Sequence, residues 1–147
     1  MKLKDFDFRI WNKDEETLTY ASKDWKLDIG FSNPQQDYGV CESELHAYYD
    51  GEPMCPSDCE IELWSGLCDK NGKRIYEGDI LAHDNGYGIE YHSKVIFENG
   101  VFKIAIMEHP AVEIIEDLGT GFIAVVGNIH ENADLLKPLN IECSNGN

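Results

Sequence analysis

Two cysteines in the first half of the chain have a spacing that could support metal chemistry. Cys55 and Cys59 are separated by Pro-Ser-Asp, so both thiolates could bind one zinc ion, with Cys41, Cys68 or His46 completing a tetrahedral site. The sequence lacks the paired CxxC motifs from which most four-thiolate zinc sites are built. Its five cysteines form an odd set, which favours reduced thiols over a disulfide framework. Free, partly buried cysteines without any cofactor are therefore the main interpretation, and zinc binding is the alternative.

Three carboxylates near the middle of the chain could suggest general acid–base catalysis. Asp69, Glu77 and Asp79 lie close together in sequence, but such catalysis needs a pocket and perturbed pKa values. Turn formation explains the same residues, because Asp69 begins an Asp-Lys-Asn-Gly turn and Gly78 permits a bend. The sequence has no nucleophile elbow, Walker loop or dinucleotide fingerprint. We therefore expect no catalytic residues and no enzymatic activity.

The histidines and aromatic residues point to packing and binding rather than catalysis. No HxH or HExxH spacing joins the five histidines, so isolated surface or core positions are expected. Trp64 and Tyr76 lie in strand-like segments and are predicted to pack in the core. Tyr48, Tyr49 and Tyr87 are possible partner contacts, Tyr87 because it lies in a glycine-containing loop.

The net charge limits the kinds of partner that this chain can have. The chain carries 12 Lys plus Arg against 28 Asp plus Glu, a net charge of −16. Direct binding to nucleic acid is disfavoured, because that binding requires cations that displace counterions. A distributed negative surface promotes solubility, and the sharper alternative is that it mimics DNA or docks on a basic partner. The sequence shows neither a secretory signal nor a membrane span, so we expect a soluble protein of the cytoplasm.

The first 60 residues are predicted to form a hairpin followed by an irregular segment. Phe6, Phe8 and Ile10 alternate with polar residues, and β-favouring residues resume at Thr17 after a charged turn. Residues 30–60 are rich in turn signals such as Asn-Pro and Asp-Gly. They are expected to be irregular, apart from a possible short helix over Glu42 to Tyr49.

From Ile61 onward the pattern becomes that of short strands joined by tight turns. Asn-Gly pairs at residues 71–72 and 99–100 predict tight turns. Further strands are predicted around Val112 to Ile115 and over Phe122 to Val126, before one helical turn over Asn132 to Leu136. Strands at this spacing predict a mainly β fold with a small closed or partly open barrel.

Four blocks of the sequence form an ordered set of motifs. In order, they are FRIW (Phe8 to Trp11), WSGLCDKNGKRIYEGDI (Trp64 to Ile80), VIFENGVF (Val95 to Phe102) and VVGNIHENADLL (Val125 to Leu136). Together they resemble YopX-like proteins, a family of conserved hypothetical proteins of bacteriophages and prophages. The resemblance covers both ends of the chain, with Ser65, Cys68 and Ala133 replacing the Thr, Lys and Pro that are usual in the family. These departures fall at turns and caps.

The resemblance implies an SH3-type β-barrel over residues 61–138. Residues 1–60 would form an N-terminal hairpin and an irregular insert, and residues 139–147 a C-terminal tail. It also implies a phage or prophage source, and it provides no catalytic residue or cofactor to carry over.

The functional expectation is a phage or prophage accessory protein that is not an enzyme. It would bind an unknown protein partner or self-associate in the cytoplasm of the bacterial host, without direct contact with nucleic acid or membrane. The alternatives are an acidic DNA mimic that inhibits a host nucleic-acid-binding protein, and a small zinc-binding protein using Cys55 and Cys59.

Overall fold

The computed structural model describes residues 2–31, 45–84, 86–87, 90–106, 109–114 and 122–137, with backbone only for residues 90 and 109–114. The fold is mainly β, as predicted, and the chain divides into two compact units, Met1–Gly66 and Leu67–Asn147. Within the described ranges, no helix has the length and apolar character needed to cross a membrane.

The first unit is built from antiparallel strands and a short N-terminal 3-10 turn, Leu3–Asp5. The predicted hairpin is confirmed, because the first two strands pair with each other. The first strand also pairs with the sixth, and the third, fourth and fifth strands form a separate three-stranded sheet. The strands are β1 (Phe8–Asn12), β2 (Thr17–Tyr20), β3 (Leu27–Phe31), β4 (Leu45–Tyr49), β5 (Glu52–Pro53) and β6 (Cys59–Cys68).

Strand β1 departs from the predicted alternation because Arg9 is buried between two apolar neighbours. Phe8 and Ile10 belong to the core of this unit, yet Arg9 is only 1% exposed. Its Nε donates to Oε2 of Glu62 at 2.6 Å, and Glu62 is its direct cross-strand partner in β6. The Tyr20 ring lies 5.7 Å from the guanidinium carbon. A buried charge requires this kind of partner, so Arg9 and Glu62 are buried as a pair.

The segment expected to be irregular contains regular strands. The short helix predicted over Glu42 to Tyr49 is wrong for residues 45–49, which form β4 and pair with β3. Ala47 packs in the core of the first unit, together with Leu27. Burial of these residues against the β1 core outweighs the local turn signals of the surrounding sequence. The rest of the predicted helix, residues 42–44, lies outside the described residues.

The second unit contains a five-stranded antiparallel sheet that curls into half a barrel. Strands β8 to β11 follow one another, and β12 returns to pair with β8, which gives the order β11-β10-β9-β8-β12. This is the strand order of the expected SH3-type small barrel. Its core is Ile75, Leu81, Val95, Ile104 and Ile123. The strands are β7 (Arg74–Tyr76), β8 (Asp79–Asp84), β9 (Glu90–Glu98), β10 (Val101–Ile106), β11 (His109–Ile114) and β12 (Ile123–Asn128).

The turns of the second unit largely follow the sequence-based predictions. Asn99 and Gly100, both with positive φ, connect β9 to β10 in a two-residue hairpin loop. The predicted helical turn is a 3-10 turn, Ala133–Leu136. One difference concerns β12, which is predicted over Phe122 to Val126 and instead spans Ile123–Asn128. Phe122 precedes the strand and is exposed, and Val126 is exposed at a bulge between Val125 and Gly127.

Candidate functional site

Asp69, one of the three carboxylates considered for catalysis, binds backbone amides. Its Oδ1 accepts hydrogen bonds from the N–H groups of Asn71 and Lys73, at 2.8 and 2.9 Å, and its Oδ2 accepts one from Val125 at 2.9 Å. Burial acts to raise the pKa of Asp69, but the three N–H donors outweigh it and the pKa is lowered. Asp69 therefore stays ionised and joins its turn to β12. Asp79 is likewise buried and accepts a hydrogen bond from the N–H of Tyr76 at 2.8 Å.

Residues 127–132, with the sequence GNIHEN, are also held by hydrogen bonds from their own backbone to their own side chains. Oδ1 of Asn128 accepts from the N–H groups of His130 and Glu131, both at 3.0 Å. The side chain of Asn132 accepts from the N–H of Asn128 at 3.2 Å instead of capping the following turn. The Asn132 side chain lies so close to Gly127 that a Cβ there would overlap it. These polar residues stabilise the end of β12.

A buried serine and histidine form the arrangement most similar to a catalytic pair. Nε2 of His83 lies 2.6 Å from Oγ of Ser93, and the His83 ring stacks on Tyr91 with centroids 4.4 Å apart. Burial lowers the pKa of His83, and the nearby His92 adds to the effect. A nucleophile must contact its substrate, but Ser93 is 0% exposed. We interpret this pair as part of the interior of the barrel.

Cys55 and Cys59, the zinc candidates, do not form a cluster with other ligands in the described residues. Sγ of Cys55 is 3.1 Å from Oγ of Ser57. Burial raises the pKa of the Cys59 thiol, and the charges of Asp58 and Cys55 raise it further, which favours the thiol over the metal-binding thiolate. No group of three ligand side chains in the described part of the chain includes either cysteine. Cys41, one of the proposed additional ligands, lies outside the described residues.

A groove of about 470 Å³ on the three-stranded sheet is the candidate binding site of the first unit. Its volume lies within the usual range of ligand sites. The indole of Trp25 is 85% exposed and the ring of Phe31 is 73% exposed, while Tyr48 is half-buried. The groove is lined by Trp25, Lys26, Asp28, Gly30, Phe31, Tyr48, Asp50 and Gly51. It therefore combines three aromatic rings with charged side chains.

The backbone around Trp25 is fixed by hydrogen bonds that Asp24 accepts. Oδ1 of Asp24 accepts from the N–H of Lys26 at 3.1 Å, and its carbonyl oxygen accepts from the N–H of Leu27 at 3.2 Å. The other carboxylate oxygen accepts from the hydroxyl of Tyr49 at 3.0 Å, and this bond is the main reason that the pKa of Tyr49 is raised. Trp25 is thus exposed on a well-anchored turn.

The three tyrosines proposed as partner contacts occupy different places. Tyr48 lines the groove, and Tyr49 holds the turn that carries Trp25. Tyr87 is 88% exposed but belongs to the second unit. Trp25 and Phe31 are not among the residues that the sequence predicts as partner contacts. The available signal was a tryptophan within the polar run Ser-Lys-Asp-Trp-Lys, where burial in a strand is not expected.

The half-barrel and the strand order of the second unit define a small β-barrel protein. The chain belongs to the YopX family, because the sequence model of that family, YopX protein, matches residues 7–137. This confirms the resemblance seen in the four sequence blocks.

Two crystal structures share the fold. The chain is similar to protein EF1440 from Enterococcus faecalis, with 23% identity and a TM-score of 0.54, over 90% of this chain and 98% of that one. It is also similar to protein yopX from Bacillus subtilis, with 16% identity and a TM-score of 0.62, over 89% and 98% of the two chains. These likenesses establish the fold alone. A comparison with curated protein sequences gave no match.

Proposed function

We propose that this chain is a protein-binding module without enzymatic activity, and that its partner binds in the groove of the β3-β4-β5 sheet. The observation that carries the proposal is the exposure of Trp25 on a turn fixed by Asp24. Tryptophan and tyrosine are enriched among the residues that dominate binding energy at protein interfaces. The exposed Phe31 and the half-buried Tyr48 would extend the contact around Trp25.

The geometry of the turn supports a strong contribution from Trp25. Burying a large apolar side chain on a partner stabilises a complex by roughly 1.5 to 3 kcal/mol. The hydrogen bonds that Asp24 accepts from the N–H of Lys26 and from the hydroxyl of Tyr49 reduce the backbone freedom that binding would otherwise have to remove.

The partner is another protein or a second copy of this chain. Mimicry of DNA, the other interpretation of the acidic surface, requires carboxylates but no exposed aromatic rings. The groove therefore favours a partner that is recognised through aromatic contacts. A role as an accessory protein of a phage or prophage in the host cytoplasm belongs to the same proposal, and the four sequence blocks support it.

Affinity capture from a lysate of the source bacterium tests this proposal. The baits are the unmodified chain, Trp25→Ala and, as a control, Tyr87→Ala, which removes an equally exposed ring from the second unit. Quantitative mass spectrometry should recover the same partner with the unmodified chain and Tyr87→Ala, and lose it with Trp25→Ala. Light scattering should reveal a dimer lost in Trp25→Ala if the partner is a second copy. A partner that Trp25→Ala retains, or a monomer that captures nothing, would overturn the proposal.

A further inference from the structure

We infer that the partner segment that binds in this groove is basic and is recognised through its arginine side chains. This inference rests on the proposed function, because it names the chemistry of the occupant of the same groove. Three independent features of the first unit lead to it: the charge around the groove, the aromatic rings that lack a cation, and the blocked edge of β3.

The charge around the groove is negative. Residues 24–31 and 45–53 contain four acidic residues and one lysine, a net charge of −3. The lysine, Lys26, lies with its Nζ 3.6 Å from Oδ2 of Asp50 and 5.9 Å from the centre of the Tyr49 ring. Since Lys26 offsets only one carboxylate, a cationic side chain that binds here would reduce the repulsion among the others. The chain as a whole, at −16, would also attract a basic segment from solution.

The aromatic rings of the groove match a guanidinium group. Elsewhere in this unit, one tyrosine ring already has two cations beside it. The guanidinium carbon of Arg9 lies 5.7 Å from the centre of the Tyr20 ring, and Nζ of Lys23 lies 4.6 Å from it. Trp25, which has the ring type most favourable for this interaction, has neither a cation nor a ring contact among the described residues. Arginine both stacks on aromatic faces and forms two parallel hydrogen bonds with a carboxylate, as Asp28 could provide.

Two amides at the edge of β3 are not available to a partner strand. The N–H of Leu27 donates to the carbonyl of Asp24, and the N–H of Ile29 donates to Oδ1 of Asp28 at 2.8 Å. With these donors occupied, a partner cannot pair fully with β3 through its backbone. Recognition must therefore depend on side chains that enter the groove.

Gly30 keeps the groove open. A Cβ at this position would contact Cε2 of Tyr48 at 3.5 Å, an ordinary contact distance, so a larger side chain fits without a clash at its first atom. Gly30→Val would then fill the groove. Valine also favours a strand, and the backbone of Gly30 is not in the left-handed region, so this variant should fold.

Fluorescence anisotropy with defined peptides tests the inference. The probe is a fluorescein-labelled Gly-Arg-Ser-Arg-Gly-Arg peptide, compared with the same peptide carrying lysine or uncharged citrulline in place of arginine, at 0.15 M NaCl. We expect the affinity order arginine, lysine, citrulline. Trp25→Ala and Gly30→Val should each weaken binding of the arginine peptide about tenfold, the range of a central interface residue.

A charge-matched pair of double variants separates the groove from the overall charge. Asp28→Asn with Asp50→Asn keeps the oxygen that accepts from Ile29 and should weaken binding about fivefold, within the range of exposed charge pairs. Asp14→Asn with Glu15→Gln removes the same charge from the exposed β1–β2 turn and should change binding less than twofold. Equal losses in both double variants, or equal binding of citrulline and arginine, would overturn the inference. Circular dichroism checks that each variant is folded.

The two proposals can fail separately. If capture from lysate depends on Trp25 but the peptides bind without preference for arginine, the groove is a binding site and the inferred basic partner is wrong. If Trp25→Ala and Gly30→Val affect neither capture nor peptide binding, both proposals are wrong.

Discussion

The turns of the second unit and the groove of the first unit use their side chains differently. In the second unit, Asp69 and Asn128 direct their side chains to backbone amides of their own unit. In the first unit, Trp25 and Phe31 are directed to solvent. Of the four sequence blocks that carry the family resemblance, FRIW lies in β1 of the first unit and the other three lie wholly or mainly in the second unit. The groove lies outside all four blocks. Membership of the family predicts the fold, and the partner must be read from a different part of the chain.

The largest expected effect is loss of stability in Asp69→Ala. This change leaves three backbone N–H groups without their acceptor and should lower the free energy of unfolding by about 3 kcal/mol. Urea denaturation measures it. Asp84→Ala is the control, since Asp84 is exposed and accepts, among the described residues, a single hydrogen bond, from the N–H of Gly86. Equal losses in the two variants would contradict the role given to Asp69.

Gly127→Ala should have the next largest effect. The new Cβ would overlap Oδ1, Cγ and Cβ of Asn132, so Asn132 must shift and release the N–H of Asn128, which should lower the free energy of unfolding by about 2 kcal/mol. The control is Gly30→Ala, which replaces a glycine in β3 of the first unit and should lower the free energy of unfolding by less than about 0.5 kcal/mol. Adding Asn132→Gly to Gly127→Ala should recover part of the loss. If the two glycine variants are equally stable, the packing explanation fails.

Acid should destabilise the protein through His83. Because the pKa of His83 is lowered in the folded state, the unfolded chain takes up the proton first. The contribution of neutral, buried His83 to the free energy of unfolding is therefore complete above about pH 6.5, the ordinary pKa of histidine. It is lost as the pH falls from there through the pKa of His83 in the folded state. The uptake of this one proton can change the free energy of unfolding by at most about 1.4 kcal/mol per pH unit. Urea denaturation between pH 7.5 and 5 should show a shallower dependence for His83→Gln; an unchanged slope would contradict this assignment.

Trp25→Ala should leave stability almost unchanged. Because its indole is exposed, the free energy of unfolding should change by less than about 0.5 kcal/mol. Trp11→Ala, which removes a buried ring of the same unit, should cost about 3 kcal/mol. A large loss of stability in Trp25→Ala would show that this residue belongs to the fold rather than to a binding surface, and would remove the contrast between the two units.

The smallest effect is expected for the change in melting temperature on adding zinc, compared between the unmodified chain and the double variant Cys55→Ser with Cys59→Ser. If these thiols are free, added zinc should not raise the melting temperature of the unmodified chain, and elemental analysis should find no zinc after dialysis against a chelator. A melting temperature that rises with zinc in the unmodified chain and not in the double variant would support the zinc alternative instead.

Local patterns predict most of the strands of the second unit. The Asn99-Gly100 pair gives the hairpin because both residues tolerate positive φ. The same reasoning cannot predict that Arg9 is buried, since alternation places a charged residue outside and its partner, Glu62, is 53 residues away. It also misses the groove, because Trp25 and Tyr48 come together only when β3 pairs with β4.

The buried pair of Arg9 and Glu62 also sets an order of assembly for the growing chain. Burying a guanidinium without its carboxylate partner is unfavourable, so β1 reaches its full stability only after Glu62 has been synthesised. A shift of one residue between β1 and β6 would place the two charges on opposite faces. During translation, the first hairpin must therefore wait for a strand made much later. The chain fragment that ends before Glu62 should accumulate as an open, protease-sensitive form.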